Sequence, residues 1–242
     1  MFTLYSADFT GNPGNCSYPH KTVVMNTDNL REAVCHDYVC AEYKNHYRNG
    51  ENFISADCLP VDCDNDHSED PKDWVTPADV LEAFPGVSIA IHYSRFNNRE
   101  KNGKPARPKF HVLFPIDRMT DATLYSDMKK LVNSIFPYFD TKALDAARFF
   151  FGTQEPNVEL YPGRMNLTEF LNDDEFDAGL PGGHKKDAVI PEGSRNAVMS
   201  RFAGIVIKKY GDSEKAYQSF LEKATTCVPP LDNNELSTIW HS

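Results

Sequence analysis

Residues 51–64, "ENFISADCLPVDCD", decide the fold, because this stretch runs from a polar loop through apolar residues into alternating aspartates. Its short apolar and β-branched composition is typical of a strand. Side chains two positions apart on a strand point to the same face, which places Asp62 and Asp64 about 6.5–7 Å apart at Cα. The stretch therefore predicts a strand that presents two carboxylates side by side at its end.

Two other interpretations of these aspartates stay open. A calcium-binding EF-hand loop reads D-x-[DN]-x-[DN]-G and closes on a Glu at position twelve. Counted from Asp62, position six is His67, position twelve is Asp73, and Pro71 interrupts the loop, so this match is poor. The remaining alternative is a solvated turn whose charges bind nothing.

Length and composition predict a globular protein in the cytoplasm. A chain of 242 residues with 40% hydrophobic content can bury one substantial core and a small second one. No apolar run is long enough to span a bilayer, and the start lacks the features of a signal peptide. The six cysteines fit this compartment as reduced thiols. Cys35/Cys40 and Cys58/Cys63 are spaced more widely than usual zinc knuckles, which favours buried free thiols.

Charge is distributed unevenly along the chain. The formal net charge of −10 argues against indiscriminate coating of nucleic acid. Within residues 57–82 nearly every charge is negative, whereas basic residues outnumber acidic ones from Arg95 to Arg118. This order suits a site that holds metal cations together with a polyphosphate. Two differently charged surface loops would produce the same pattern.

Helices and strands are predicted in mixed order, which indicates an α/β or α+β sheet domain. The predicted strands are residues 21–26, 51–64, 87–94 and 107–116, and residues 143–151 form a short helical turn that passes into a strand. The predicted helices are residues 29–44, a helix capped by Thr76, and a long one opened by Thr120.

A second domain is predicted at the C-terminal end. Residues 176–190 combine acidic residues with Pro-Gly-Gly and read as a linker. Beyond them the pattern becomes purely helical, with helices capped by Ser194, Ser213 and Asp232, the last with Glu235 three positions later. We therefore expect a sheet domain over residues 1–175 and a small all-α domain over residues 191–242.

The paired aspartates favour metal-dependent phosphate chemistry. Two metal ions about 3.5–4 Å apart are the usual device for in-line attack on a phosphate, and a third carboxylate normally completes their site. Asp140 and Asp145 are candidates for this third ligand, while Arg148 would grip a phosphate or the template backbone. Alternatively, Asp145 and Arg148 form only an intrahelical pair three positions apart.

Basic side chains on the strand at 107–116 are candidate phosphate ligands. His111 and Lys109 share the face opposite Phe110, Val112 and Phe114, and Arg107 precedes them. Such a cluster suits phosphate oxygens. A histidine on a strand is also often a purely structural residue, and that alternative stays open.

Three segments and the tail together resemble a known family. "LPVDCDND", "RPKFHVLFP" and "FDTKALDAARFFFG" are similar, in this order, to the three motifs of archaeo-eukaryotic-type primases and primase-polymerases, in particular those of phages and plasmids. The tail, "IPEGSRNAVMSRFAGIVIKKYG" through "PPLDNNELSTIWHS", resembles the helical primase C-terminal domain. The resemblance implies an α+β fold with an RRM-like palm sheet beside an N-terminal αβ unit.

Site roles follow from this resemblance by motif. Asp62, Asp64 and Asp140 would bind two Mg²⁺ or Mn²⁺ ions, with Asp145 in reserve for Asp140. His111 would contact the phosphates of the incoming nucleotide. Further nucleotide ligands would be drawn from basic residues: Lys109, Arg148, Arg107, Arg95 and, more weakly, Arg48. Lys109 stands where the family has a small residue, which puts that contact in doubt, and a zinc stem is not expected.

The implied activity is template-dependent transfer of a nucleotide from an NTP or dNTP to a 3′-hydroxyl. The implied partners are a single-stranded DNA template and a helicase domain or subunit, without a membrane, in a bacterial or phage-infected cell. The rival hypothesis is a replication initiator module that binds nucleic acid but has lost turnover.

Overall fold

The computed structural model describes residues 1–100, 103–136, 138–141, 144–172, 190–191, 195–210 and 213–241. The chain divides into two compact units, Met1–Phe170 and Leu171–Ser242. The candidate site lies in the first unit.

The secondary structure of the described residues is mixed. The strands are β1 Phe2–Ser6, β2 His20–Val24, β3 Tyr38–Val39, β4 Ala41–Tyr43, β5 Phe53–Cys63, β6 Ile89–Tyr93, β7 Phe110–Met119, β8 Phe149–Phe150, β9 Val158–Tyr161, β10 Ile190–Pro191 and β11 Cys227–Val228. The α-helices are α1 Thr27–Val34, α2 Pro77–Ala83, α3 Ala122–Ile135, α4 Leu167–Asn172, α5 Arg195–Tyr210, α6 Glu214–Ala224 and α7 Asn233–Trp240.

The larger sheet positions the site. Its antiparallel strands follow the order β4-β5-β7-β6-β9, so β7 is central. In this register Asp62 of β5 lies opposite His111 of β7, which in turn lies opposite His92 of β6. The strand predicted for residues 51–64 is thereby confirmed, and its acidic end meets the start of β7 at one edge of the sheet.

A second antiparallel sheet, β2-β1-β3-β8, shares a core with the larger one. Leu4 of β1, Tyr38 of β3 and Phe150 of β8 pack in one buried cluster with Cys58 of β5 and Leu113 of β7. This packing brings β3 and β8 against the larger sheet. The mixed α/β architecture with two antiparallel sheets agrees with the α+β class, whereas β1 was not predicted.

The helix predicted over residues 29–44 is wrong in its second half. The helix α1 ends at Val34, and the chain then turns into β3 and β4. The turn is held by the fully buried carboxylate of Asp37, which accepts the backbone N–H groups of Gly11, Asn12 and Gly152. A buried charge requires such partners, and they outweigh the helical pattern of the local sequence.

The chain also departs from the predictions after β7. The helix α3 starts at Ala122 and is capped by Asp121, one residue later than the predicted Thr120. The described residues 144–148 contain no helix, and the Asp145 carboxylate accepts the N–H of Ala147 in a tight turn. The alternative that paired Asp145 with Arg148 on a helix is therefore wrong.

The second unit contains α5, α6 and α7 around a small core that includes Met199, Phe220 and Trp240. The predicted caps Ser213 and Asp232 are observed, the latter in a capping box with Glu235. A short parallel pairing of β10 with β11 adds strand to a region predicted as purely helical. The predicted cap Ser194 and nearly all of the predicted linker lie outside the described residues.

In the part of the chain that the structure describes, no helix has both the length and the apolar character needed to cross a bilayer.

Candidate active site

Three carboxylates converge where β5 ends, beside the start of β7. Each of Asp62, Asp64 and Asp140 offers an oxygen, and these three oxygens lie within 4.8 Å of one another. Asp62 is 8% exposed, and the other two are half-buried. Carboxylate oxygens at this separation match the donor set that Mg²⁺ and Mn²⁺ prefer.

A backbone contact brings the distant third acid to the first two. The N–H of Asp140 donates to the carbonyl oxygen of Asp62 at 2.7 Å, so the segment after α3 is attached to the end of β5. Asp145, the reserve ligand, is exposed and is not a member of the cluster. Between these two candidates, the geometry favours Asp140.

The crowding of acids changes the proton affinity of Asp62. Burial and then the neighbouring Asp64 carboxylate raise the pKa of Asp62 from 3.8 to about 7, with Asp140 adding to the effect. The charges of Arg148 and Lys109 oppose it. These two positive charges do not offset the burial and the carboxylate repulsion at Asp62, and a bound cation would stabilise its ionised form.

Lys109 compensates one member of the cluster from within the protein. Its Nζ lies 2.9 Å from the Asp64 carboxylate and donates to the Asp64 carbonyl oxygen at 2.8 Å. The side chain is almost fully buried, and it also reaches Asp66 at 3.4 Å. Lys109 is thus a neighbour of the predicted metal ligands, and its ammonium occupies one side of Asp64.

Arg107 lies beneath the acidic loop that follows β5. Its fully buried guanidinium donates to the Asn65 carbonyl oxygen at 2.7 Å and to the Glu69 carboxylate at 2.8 Å, and it stacks on Trp74. These contacts fix the loop and leave the guanidinium away from solvent. The predicted contact of Arg107 with a nucleotide stays a prediction.

The acidic and basic segments form ion pairs with each other, which the charge pattern of the sequence did not predict. Lys104 reaches Asp66 at 3.2 Å, in addition to the contacts of Lys109 and Arg107. Much of the basic segment therefore neutralises the acidic loop. Contact of these cations with a polyphosphate stays a prediction.

Arg148 has the largest lowering effect of any cation on the pKa of Asp62. Arg148 directly precedes β8. Its guanidinium lies 5.9 Å from the ring of Phe150, which is two residues further on and on the same face. Its charge lowers the pKa of both Asp62 and His111. The buried Nε of Arg148 has no hydrogen-bond partner among the described residues, as is also true of the Nε atoms of Arg48, Arg107 and Arg195.

His111 is buried and turned towards the carboxylates. Its Nε2 lies 3.7 Å from Asp62 Oδ1, and its ring packs 4.7 Å from that of Phe150. Burial, with a smaller effect of Arg148, lowers the pKa of His111 to about 4, although Asp64 acts in the opposite direction. The ring is therefore neutral at physiological pH.

Sequence reasoning missed three residues behind His111. The hydroxyl of Tyr38 lies 3.1 Å from Nδ1 of His111 and 3.1 Å from Nδ1 of His92, and Nε2 of His92 lies 3.3 Å from the Thr153 hydroxyl. Tyr38 was hidden in the wrong helix prediction. The alternation of "VSIAIHYS" could have placed His92 next to His111 once the two strands were paired.

The opposite face of β8 combines aromatic rings with cations. The rings of Phe149 and Phe151 meet edge-on at 5.0 Å, Arg48 lies over Phe149 at 4.8 Å, and Arg95 lies over Phe151 at 4.3 Å. Arg48 is also tied to the Ala147 carbonyl oxygen, whereas Arg95 is exposed. We call these four residues the Arg–Phe face.

The strand that carries both faces is fixed at its end by Gly152. A Cβ on Gly152 would lie 2.1 Å from the carbonyl oxygen of His36, so only glycine fits this close approach. Its N–H donates to the buried Asp37 carboxylate. The Arg148 to Phe151 segment is therefore held in one position relative to the sheet.

The alternative metal sites find little support in the described residues. The six cysteines are free and do not form part of a ligand cluster. In the poor EF-hand match, Asp66 pairs with lysines, and Asp73 accepts the Ser68 hydroxyl. Among the described residues, the metal-compatible group is the triad of Asp62, Asp64 and Asp140.

Comparisons with known proteins add one distant likeness. No family model matches the chain, and no curated protein matches it. Among solved structures, the chain is similar to the AEP domain of the cyanophage S-2L primase-polymerase (PrimPol), at 12% identity and a TM-score of 0.38. The match covers 67% of this chain and 81% of that one. A likeness at this level does not assign the chain to a family, and the function is inferred from the side chains of the site.

Proposed function

We propose that this chain is a template-dependent nucleotidyltransferase, a DNA primase or DNA polymerase that adds nucleotides to a 3′-hydroxyl. The observation that carries the proposal is the triad itself. Three carboxylates from two distant segments meet within 4.8 Å, beside a neutral histidine and an arginine with a buried unpaired Nε. This combination supplies ligands for cations and donors for phosphate oxygens in one place.

The donor set fits divalent metal. Asp62, Asp64 and Asp140 would hold Mg²⁺ or Mn²⁺, because their carboxylate oxygens lie within 4.8 Å of one another. A bound pair of ions would activate the attacking hydroxyl and neutralise charge on the phosphates. Two ions are proposed because a nucleotidyl transfer involves both an attacking and a leaving oxygen.

The protein's own donors would orient the triphosphate. Arg148 would bind phosphate oxygens through its guanidinium, and the neutral His111 would donate one hydrogen bond without adding charge. Lys109 would remain on Asp64 and balance the charge of the loaded site. Positioning and charge neutralisation are the main sources of rate in phosphoryl transfer.

The nucleic acid would run over the Arg–Phe face. Rings that stack on bases next to cations that contact the backbone are the usual means of binding single strands without sequence preference. Phe149 and Phe151 alternate with Arg148 and Phe150 along this segment, so a template stacked on them would lie on the face turned away from the triad. The proposed partner is single-stranded DNA, with a helicase domain or subunit as a further proposed partner in a phage or plasmid system.

Primer extension tests the proposal. The full chain is mixed with a primed single-stranded template, labelled dNTPs or NTPs, and Mg²⁺ or Mn²⁺. We expect incorporation that Asp62→Asn and Asp140→Asn abolish, while Asp145→Asn, an exposed acid of the same segment, leaves it unchanged. Loss in all three variants, or incorporation in none of the proteins, would overturn the proposal.

The second candidate is a module that binds nucleic acid without turnover. It is favoured by one observation, the ammonium of Lys109 held 2.9 Å from the Asp64 carboxylate, where it competes with a cation. Tight binding of single-stranded DNA without incorporation at any metal concentration would select this candidate.

A further inference from the structure

A chain of neutral polar groups runs from the triad into the core. Asp62, His111 and His92 lie side by side on β5, β7 and β6, and the hydroxyl of Tyr38 lies between the two imidazoles. Thr153 closes the far end at His92 Nε2. Tyr38 and His92 are completely buried.

Hydrogen-bond accounting allows two directions along this chain. Burial raises the pKa of Tyr38 and lowers the pKa of His92, so the hydroxyl keeps its proton and the imidazole stays neutral. A neutral imidazole has one N–H, and a hydroxyl donates only once. Tyr38 therefore donates to one Nδ1 and accepts from the other, and the choice fixes which nitrogen of each ring carries hydrogen.

The acid end selects the direction. Nε2 of His111 faces Asp62 Oδ1 at 3.7 Å, and a carboxylate that binds a cation is ionised, so it accepts hydrogen bonds but does not donate them. The same holds for a phosphate oxygen. A lone pair on Nε2 would face these acceptors without a partner, whereas an N–H would donate to them.

Resting on the function proposed above, we propose that Tyr38 and His92 are positioning residues that hold His111 as the Nε2–H tautomer, aimed at the nucleotide phosphates. In this direction the Thr153 hydroxyl donates to Nε2 of His92, and Nδ1–H of His92 donates to Tyr38. The Tyr38 hydroxyl donates to Nδ1 of His111, and Nε2–H of His111 is left to face the site. Each hydroxyl and the Nδ1–H of His92 then donate once, and the two ring nitrogens without hydrogen each accept once.

The tautomer can be measured directly, whether or not the protein is active. Long-range ¹H–¹⁵N correlation spectra of the ¹⁵N-histidine-labelled full chain, at neutral pH with Mg²⁺, distinguish the two nitrogens of each ring. We expect His111 with hydrogen on Nε2 and His92 with hydrogen on Nδ1. Hydrogen on Nδ1 of His111, or a doubly protonated ring, would overturn the inference without any variant.

Tyr38→Phe tests the role of the hydroxyl. Removing it leaves two Nδ1 atoms 3.4 Å apart without their shared partner. We expect His111 to lose its single tautomer and KM for the nucleotide to rise about tenfold, with kcat little changed, as fits the loss of one hydrogen bond. The matched control is Tyr125→Phe, which removes a buried hydroxyl that donates to the Cys58 carbonyl oxygen.

The control separates positioning from stability. Tyr125→Phe should leave the His111 spectrum and KM unchanged, and identical behaviour of the two variants would contradict the inference. If no incorporation is found, the tautomer and its response to Tyr38→Phe still decide the positioning role. Failure of the proposed function and failure of this inference are therefore distinguishable.

Discussion

The N–H of Asp140 donates to the carbonyl oxygen of Asp62 at 2.7 Å, and this bond joins the two halves of the site. It acts between backbone groups, so it survives substitution of either side chain. Changes to the carboxylates can therefore test chemistry without dismantling the loop that carries them.

Asp62→Asn should stabilise the metal-free protein above neutral pH. The pKa of Asp62 is raised from 3.8 to about 7 in the folded state, which therefore holds this proton more tightly than the unfolded state. The resulting stabilisation is complete below about pH 4 and is lost as the pH rises towards 7. The gain in Asp62→Asn is on the order of a few kcal/mol.

Thermal melting with EDTA at pH 5 and pH 8 measures this effect, since the wild type should lose more stability than Asp62→Asn between the two conditions. With Mn²⁺ at pH 8, the wild type should regain stability and the variant should not. Asp145→Asn is the control and should follow the wild type. A variant that is less stable than the wild type at pH 8 would contradict the prediction.

Lys109→Met should strengthen the binding of divalent metal. Its ammonium is a competing cation on Asp64, so its removal leaves that carboxylate for the metal. The same change should lower the melting temperature of the metal-free protein, because it leaves the partly buried Asp64 carboxylate without its positive partner. Calorimetric titration with Mn²⁺ gives the affinity.

Lys104→Met is the matched control for the lysine, because Lys104 contacts Asp66, which is outside the triad. The Mn²⁺ affinity of this variant should stay within about twofold of the wild-type affinity, which is less than the loss of one hydrogen bond would cause. Weaker metal binding in Lys109→Met would show that the lysine supports the metal site and does not compete with it.

Arg148→Ala should weaken nucleotide binding at the triad. The guanidinium has a buried Nε without a described partner, and its loss should cost about tenfold to a hundredfold in dNTP affinity, as for a charged hydrogen bond. Fluorescence titration with a labelled dNTP measures it. Arg118→Ala removes an arginine that bonds Ser55 on the same sheet, and it should bind as the wild type does.

Phe151→Ala should reduce binding of single-stranded DNA. Stacking of one base on an aromatic ring contributes about 1–3 kcal/mol, and the change also removes the support of Arg95. Fluorescence anisotropy with a labelled oligothymidine measures the affinity. Phe9→Ala, at a large exposed aromatic residue of the same unit, is the control, and equal losses in both variants would remove the Arg–Phe face from the proposal.

Local pattern predicted the parts of the site that lie on regular strands. The alternation around Asp62 and Asp64 and the strand at His111 were both read from period-two spacing, and the structure pairs these strands directly. The capping box at Asp232 was also local and is confirmed. These features depend on neighbours a few residues away.

The rest depended on long-range contacts. Tyr38 was assigned to a helix because nothing near it reveals that Asp37 accepts N–H groups from Gly11 and Gly152. The burial of Lys109 and Arg107 against acidic partners was equally hidden, since charge patterns do not say which cations pair internally. Propensity and composition cannot report such tertiary partners.

Side chains alternate between the two faces around β8, so an odd or even number of inserted residues decides which of them face the triad. Gly152 fixes one end, Arg148 and Phe150 face the triad, and Phe149 and Phe151 face the other side. One residue inserted between Phe151 and Gly152 would exchange the two sets, as a register slip does on any strand. Natural insertions or engineered ones in this segment should therefore come in even numbers.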